Sequence, residues 1–159
     1  MPAPEMPALR SRHLMTLLLR IDYGAIVNIG KTATGRRRIA PVAGGVFEGK
    51  RLSGVVLPGG ADWVLMRPDD DFTIDVRLIL QTQDEALIYL SYQGLFKTSP
   101  ENHERMRRRE RLPPEEYSIR TVARFETGAP GLAWLNDCLA IGVGTQSEAG
   151  AVYEVFEVV

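Results

Sequence analysis

Residues 72–81 alternate without a break. Phe72, Ile74, Val76, Leu78 and Leu80 fall on one face, while Thr73, Asp75, Arg77, Ile79 and Gln81 fall on the other. A period of two is that of a β-strand with one buried face. Further segments of strand character follow at short intervals, at 12–23, 36–42, 51–57, 61–67, 86–97, 117–126, 138–144 and 151–158. Glycines at 44, 45, 49, 59 and 60 punctuate them, and Pro58-Gly59 has the form of a type II turn. About eight or nine strands in 159 residues predict an all-β, antiparallel domain. Closure removes the exposed edges of such a sheet, so a closed or nearly closed barrel is expected. A barrel of about eight strands is wide enough to hold one small ligand.

Two stretches break the rhythm. Ser99-Pro100 reads as an N-cap followed by proline at the first helical position, and predicts one short polar helix to about Arg111, before Pro113-Pro114. Its only large apolar residue is Met106, so it is expected to lie over the surface or to cover an opening. Gly131 to Asn136 reads as a short helical turn or loop carrying Trp134. The prolines at 2, 4 and 7 predict a flexible tail over residues 1–11, leaving 12–159 as a single domain.

Composition narrows the function. Lys+Arg number 19 against 20 Asp+Glu, a balance without the cationic excess that nucleic-acid binding needs. The apolar run Leu14 to Leu19 is too short for a membrane span. Cys138 is the only cysteine, which excludes an intramolecular disulfide and a multi-cysteine zinc site. The expected setting is cytoplasmic, with a small-molecule partner, no nucleic acid, no membrane, and a homo-dimer or higher oligomer left open.

Gly44-Gly45-Val46-Phe47-Glu48-Gly49, Leu52-Ser53-Gly54 and Leu57-Pro58-Gly59-Gly60-Ala61-Asp62-Trp63 together form a pattern. With Ile74-Asp75-Val76-Arg77, Tyr117, Arg120, Phe125-Glu126-Thr127-Gly128 and Trp134-Leu135-Asn136, it resembles the domain of unknown function 3237 family. The resemblance runs from about residue 13 to the C-terminus. It implies a small, lipocalin-like antiparallel β-barrel, often associated with further copies, and no established activity. Asp69-Asp70-Asp71 departs from the Asp-Gly turn more usual there.

Candidate site residues follow from chemistry and position. Asp62, beside a glycine pair, is a candidate proton acceptor, or else a turn cap; Trp63 is a ring that stacks on a ligand, or else core. Asp75 and Arg77 lie side by side on one strand face and suit a catalytic carboxylate with an anion-steadying guanidinium. The apolar residues of that strand compete for the interior, and if they win, the pair lies outside and carries little energy. Tyr89 and Tyr92 face opposite ways, and Tyr92 is favoured as the inward phenol. Trp134 and Asn136 are candidate rim residues.

Other chemistries are set aside. His13 and His103 are the only histidines, so no histidine-rich metal site is expected, and Asp69–Asp71 reads as a hairpin turn. Gly142-Val143-Gly144 lacks the third glycine of a dinucleotide fingerprint, and no cofactor is expected. The Arg105–Arg111 run is interspersed with acids and reads as a solvated helix, and Arg36-Arg37-Arg38 as a surface cluster. Cys138 reads as a small buried apolar residue. Three readings remain. The first is a cofactor-independent isomerase, lyase or hydrolase acting on an aromatic or carbonyl metabolite through Asp62 or Asp75. The second is a non-catalytic carrier or sensor using Trp63, Tyr92 and Trp134. The third is a solid barrel in a structural oligomer.

Overall fold

The computed structural model describes residue 1 and residues 4–159. Residues 2 and 3 of the expected N-terminal tail lie outside the described residues. Among the described residues the chain forms ten strands: β1 (Ser11–Ile21), β2 (Val27–Thr32), β3 (Gly35–Glu48), β4 (Ser53–Val56), β5 (Gly60–Met66), β6 (Phe72–Thr82), β7 (Leu87–Thr98), β8 (Tyr117–Glu126), β9 (Leu139–Gln146) and β10 (Ala151–Val158). One α-helix, α1 (Pro100–Arg107), follows β7, and short 3₁₀ segments lie at Tyr23–Ala25, Pro114–Glu116 and Pro130–Asp137.

Every strand pairing is antiparallel, and the sheet closes through β1 pairing with both β10 and β3. Two walls of the barrel are each made of two strands laid end to end. β1 and β2 both run antiparallel to β3, opposite 42–48 and then 35–39. β4 and β5 do the same on its other side and share β6. The ten strands thus make eight staves, in an up-and-down barrel with consecutive staves adjacent.

Several boundaries correct the sequence reading. Pro58-Gly59 does not reverse the chain. Gly59, at φ 110°, lies in a kink between two strands that keep one direction. Gly44 and Gly45 do not separate strands but lie within β3 where it crosses β1. A side chain at Gly45 would put its Cβ 2.1 Å from the Leu18 carbonyl oxygen, so the close approach requires glycine. β2 was not expected, since its apolar Val27 and Ile29 face solvent and no buried face marks it.

The interior fills with the inward residues of each stave. Leu17, Phe47, Val56, Leu80, Ile88, Leu90, Phe125 and Val155 are all buried. At the end where β8 passes to β9, the 3₁₀ segment Pro130–Asp137 inserts the fully buried Leu135. Nearby, Glu157 is buried and held by Arg12 and by Arg51. This end is closed. At the opposite end β1 leaves β10 near Leu18, β2 pairs only with β3, and an opening remains beneath α1.

α1 is shorter than expected. Ser99 caps it by accepting the Asn102 N–H at 3.2 Å, as the sequence implies. It stops at Arg107 because the chain turns there, with Arg109 at φ 63°. His103 is buried beneath it, its Nε2 2.8 Å from Asp71 Oδ1. Asp71 also accepts the Thr98 N–H, so one member of the Asp69–Asp71 turn anchors the helix as well as shaping the hairpin. Among the described residues, no helix is long and apolar enough to cross a membrane.

Candidate functional site

The face of β6 settles the first question. Ile74, Val76, Leu78 and Leu80 are buried, so Asp75 and Arg77 point outward. Asp75 there accepts from Gln93 at 3.4 Å and lies 3.7 Å from Arg77, whose guanidinium sits over the outward Trp63 ring at 5.1 Å. The candidate roles of Asp75 and Arg77 required the lumen face, which the apolar residues occupy instead; of the two arrangements left open the outward one holds, and Trp63 lies outside with the pair rather than as a ligand platform in the lumen. Trp134 and Asn136 lie at the closed end. Arg51 covers Trp134 at 4.0 Å, and Asn136 clamps the Thr127 backbone through both amide atoms. They form no rim to the opening.

Asp62 and Tyr92 are brought together. Asp62 lines a cavity of about 550 Å³ at the open end, with Ala40, Val64, Ile74, Ile119 and Tyr153. The β5–β6 ladder lapses between Asp62, opposite Val76, and Leu65, opposite Thr73. In the gap the Asp75 N–H donates to Asp62 Oδ1 at 3.1 Å, which fixes the carboxyl in place of a ladder bond. Among the described residues, Oδ2 receives no such bond. Burial raises the carboxyl's pKa to about 6; the Asp75 N–H and the Arg38 charge pull it down, and the Asp75 charge pushes it up.

Tyr92 stands on β7 opposite Val76 and is buried. Its hydroxyl is fully enclosed without a hydrogen-bond partner among the described residues. Native proteins rarely leave such a group unpaired, because an unmet buried hydroxyl costs about 1–3 kcal/mol. Tyr153 is its neighbour, with ring centroids 5.0 Å apart. Burial, with the nearby Asp62 charge, holds both phenols above their ordinary pKa, so they remain O–H donors. Cys138 is half-buried at the closed end, where burial pushes its thiol up to about 11, away from the thiolate form.

Two residues of this site escaped the sequence reading. Tyr153 is seated on Gly142 and Gly144: a Cβ on Gly144 would come 2.8 Å from its ring, and one on Gly142 3.3 Å. The glycine pair dismissed as a dinucleotide motif is thus the bare backbone that admits this ring, and its place opposite Tyr153 was the available signal. Arg38 is the other. Arg36 and Arg38 share the strand face of the buried Ala40 and Val42, but at the open end of the barrel they are exposed, while Arg37 on the other face is partly covered and donates to the Trp63 carbonyl at 2.9 Å.

The arrangement is a carboxyl of raised pKa, two phenols held as hydrogen-bond donors and an apolar wall, beneath a short helix. Such a set can take a proton from a carbon acid and steady the resulting oxyanion.

Known proteins share this barrel. A UPF0311 protein of Rhodopseudomonas palustris is 33% identical over 152 residues, 96% of this chain and 98% of that protein. Its crystal structure, of a conserved protein of unknown function, matches with a TM-score of 0.88 over 98% of this chain and 100% of that one. A beta-barrel like protein from Acinetobacter baumannii AYE is 30% identical, with a TM-score of 0.85 over 98% of this chain and 99% of that one. An enzyme from Penicillium herquei shares the fold at 17% identity and a TM-score of 0.72, over 100% of both chains. Residues 9–158 match the family described as protein of unknown function (DUF3237), and the chain belongs to that family.

Proposed function

We propose that the chain binds a small ring-containing carbonyl compound at the open end of the barrel and transfers its proton through Asp62. The observation that carries this reading is the Asp62 carboxyl, raised to about 6 by burial, lining one cavity with Tyr153, whose ring packs on the buried Tyr92. A general base works best with a pKa near the operating pH, and a phenol donor steadies an oxyanion as it forms. In the proposed step Asp62 Oδ2 takes the proton from the carbon next to the carbonyl. The C–H electron pair becomes the enolate, and Tyr153 donates to its oxygen while Tyr92 packs behind Tyr153. Return of the proton at another carbon gives isomerisation; expulsion of a leaving group gives elimination. Ile74, Ile119 and Met106 supply the apolar wall for the ring. The P. herquei enzyme supports this reading only through its fold.

The test is deuterium uptake at C2 of 1-tetralone in D₂O, followed by NMR at pD 7.5. The native protein should accelerate uptake, and Asp62→Asn should lose about 10²-fold or more of the acceleration. An Asn variant as fast as the native protein overturns the assignment. The apolar lining also favours a carrier, which would bind 1-tetralone with no effect on uptake.

A further inference from the structure

A second cavity of about 860 Å³ adjoins the first and shares Arg38, Phe72, Met106 and Gln146 with it. Its wall carries five cationic side chains: Lys31, Arg36, Arg38, Arg67 and Arg107. Two are already engaged. Arg67 pairs with Asp69 at 2.5 Å, and Arg107 with Glu104 at 2.7 Å and Asp70 at 3.1 Å. Lys31, Arg36 and Arg38 form no ion pair or side-chain hydrogen bond with the described residues. Exposed cations are common singly, but these three are set by strand register. Lys31 lies opposite Arg36 across the β2–β3 pair, and Arg38 follows Arg36 on the same strand face, all three exposed along the wall of this cavity.

The register also fixes their distance from the chemistry. Asp62 lies opposite Ala40. At about 3.3 Å per residue, the Arg38 Cα stands about 7 Å and the Arg36 Cα about 13 Å along β3 from that point, toward the open end. A molecule with its reacting carbon at Asp62 would reach Arg38 with a substituent one ring away. Guanidinium groups bind planar or tetrahedral oxyanions with two parallel hydrogen bonds, and three cations without an ion-pair partner along one recess focus an attractive field on an anion.

We infer that the substrate is an organic anion, a ring-containing carbonyl compound whose carboxylate or phosphate group is held by Arg36, Arg38 and Lys31. This rests on the proton-transfer reading for the position of the ring, and extends it by assigning the charge and the group that binds it.

The experiment compares three probes by isothermal titration calorimetry on the full chain in 20 mM salt: 1-tetralone, 6-carboxy-1-tetralone and 6-phosphonooxy-1-tetralone. At least one anionic probe should bind 10-fold or more tighter than the neutral ketone, and the tighter of the two identifies the oxyanion. The preference should fall to threefold or less in Arg36→Met/Arg38→Met, and at 300 mM salt in the native chain. Arg37→Met, on the outer face, should keep it, and thermal melts should show both variants folded. Equal affinity of all three probes, no binding of either anion at millimolar concentration, or a preference that survives in the double variant overturns the inference. Deuterium uptake from the neutral ketone, read on the same samples, reports separately on Asp62.

Discussion

In the proposed role, Asp62 sets folding and catalysis against one another. Its carboxyl is raised to about 6 in the fold from an ordinary 3.8. The folded state therefore holds the proton more tightly than the unfolded chain, and the associated stability is full below about pH 4. It is lost as pH rises through 6, where the folded protein must either stay protonated or bury a charge. Asparagine keeps the acceptor for the Asp75 N–H and has no charge to bury. Asp62→Asn should thus match the native protein near pH 4 and exceed it by up to about 3 kcal/mol at pH 8, as read by chemical denaturation. A native protein equally stable at both pH values relative to the variant would contradict the burial argument. Asp62 and Tyr92 were legible in the sequence, the first from its glycine-flanked position and the second from the alternation of its strand. The face of Asp75 and Arg77 stayed open in the sequence, and Trp63 read as a stacking ring or core, because motif residues look adjacent whichever face they occupy. The run Arg36-Arg37-Arg38 reads as a surface cluster, and Arg36 and Arg38 are exposed; that Arg38 also borders the Asp62 cavity follows only from the pairing of β3 with β5.

At the scale of the element, α1 is too short to be stable alone, since helices below about a dozen residues do not repay nucleation. Its eight residues persist through the Ser99 cap, Met106 against the core and His103 bonded to Asp71 beside Phe96. His103→Ala should leave the barrel intact and loosen the helix. Hydrogen exchange should rise by tenfold or more in 100–107 and remain unchanged in β7 and β8. Equal protection in both proteins would show that the cap and Met106 suffice. The start of the helix was legible from Ser99-Pro100, and its end was not. Helices commonly stop at glycine, whereas here Arg109 takes the left-handed conformation in a Schellman turn, with the Glu110 N–H donating to the Arg105 carbonyl and the Arg109 N–H to the Met106 carbonyl. The two broken staves were hidden for a related reason. Pro58-Gly59 looks the same in sequence whether the chain reverses or merely kinks, and only the shared neighbours β3 and β6 distinguish the two.

For the whole molecule, closure depends on how near β3 can come to β1. A methyl group at Gly45 would meet the Leu18 carbonyl at 2.1 Å with φ at 154°, and neither backbone can retreat without opening the barrel. Gly45→Ala should cost about 3 kcal/mol or more, a fall of roughly 10 °C in Tm, while Gly128→Ala, with nothing within 4 Å, should change stability by less than about 0.5 kcal/mol. Similar melts for the two variants would show that β1 and β3 have room to separate. The closed antiparallel barrel itself was legible, because alternation with short connections leaves few other ways to bury one face of so many strands. The polarity of its two ends was not, since it depends on which loops fold inward. That asymmetry carries further. With Leu135 and the Glu157 ion pairs sealing one end, the lumen is a vessel with a single neck. Whatever enters past α1 must leave past α1, so under the proposed reaction a product still in the neck would exclude the next substrate, and throughput would be set by the traffic of one shared passage rather than by flow from end to end.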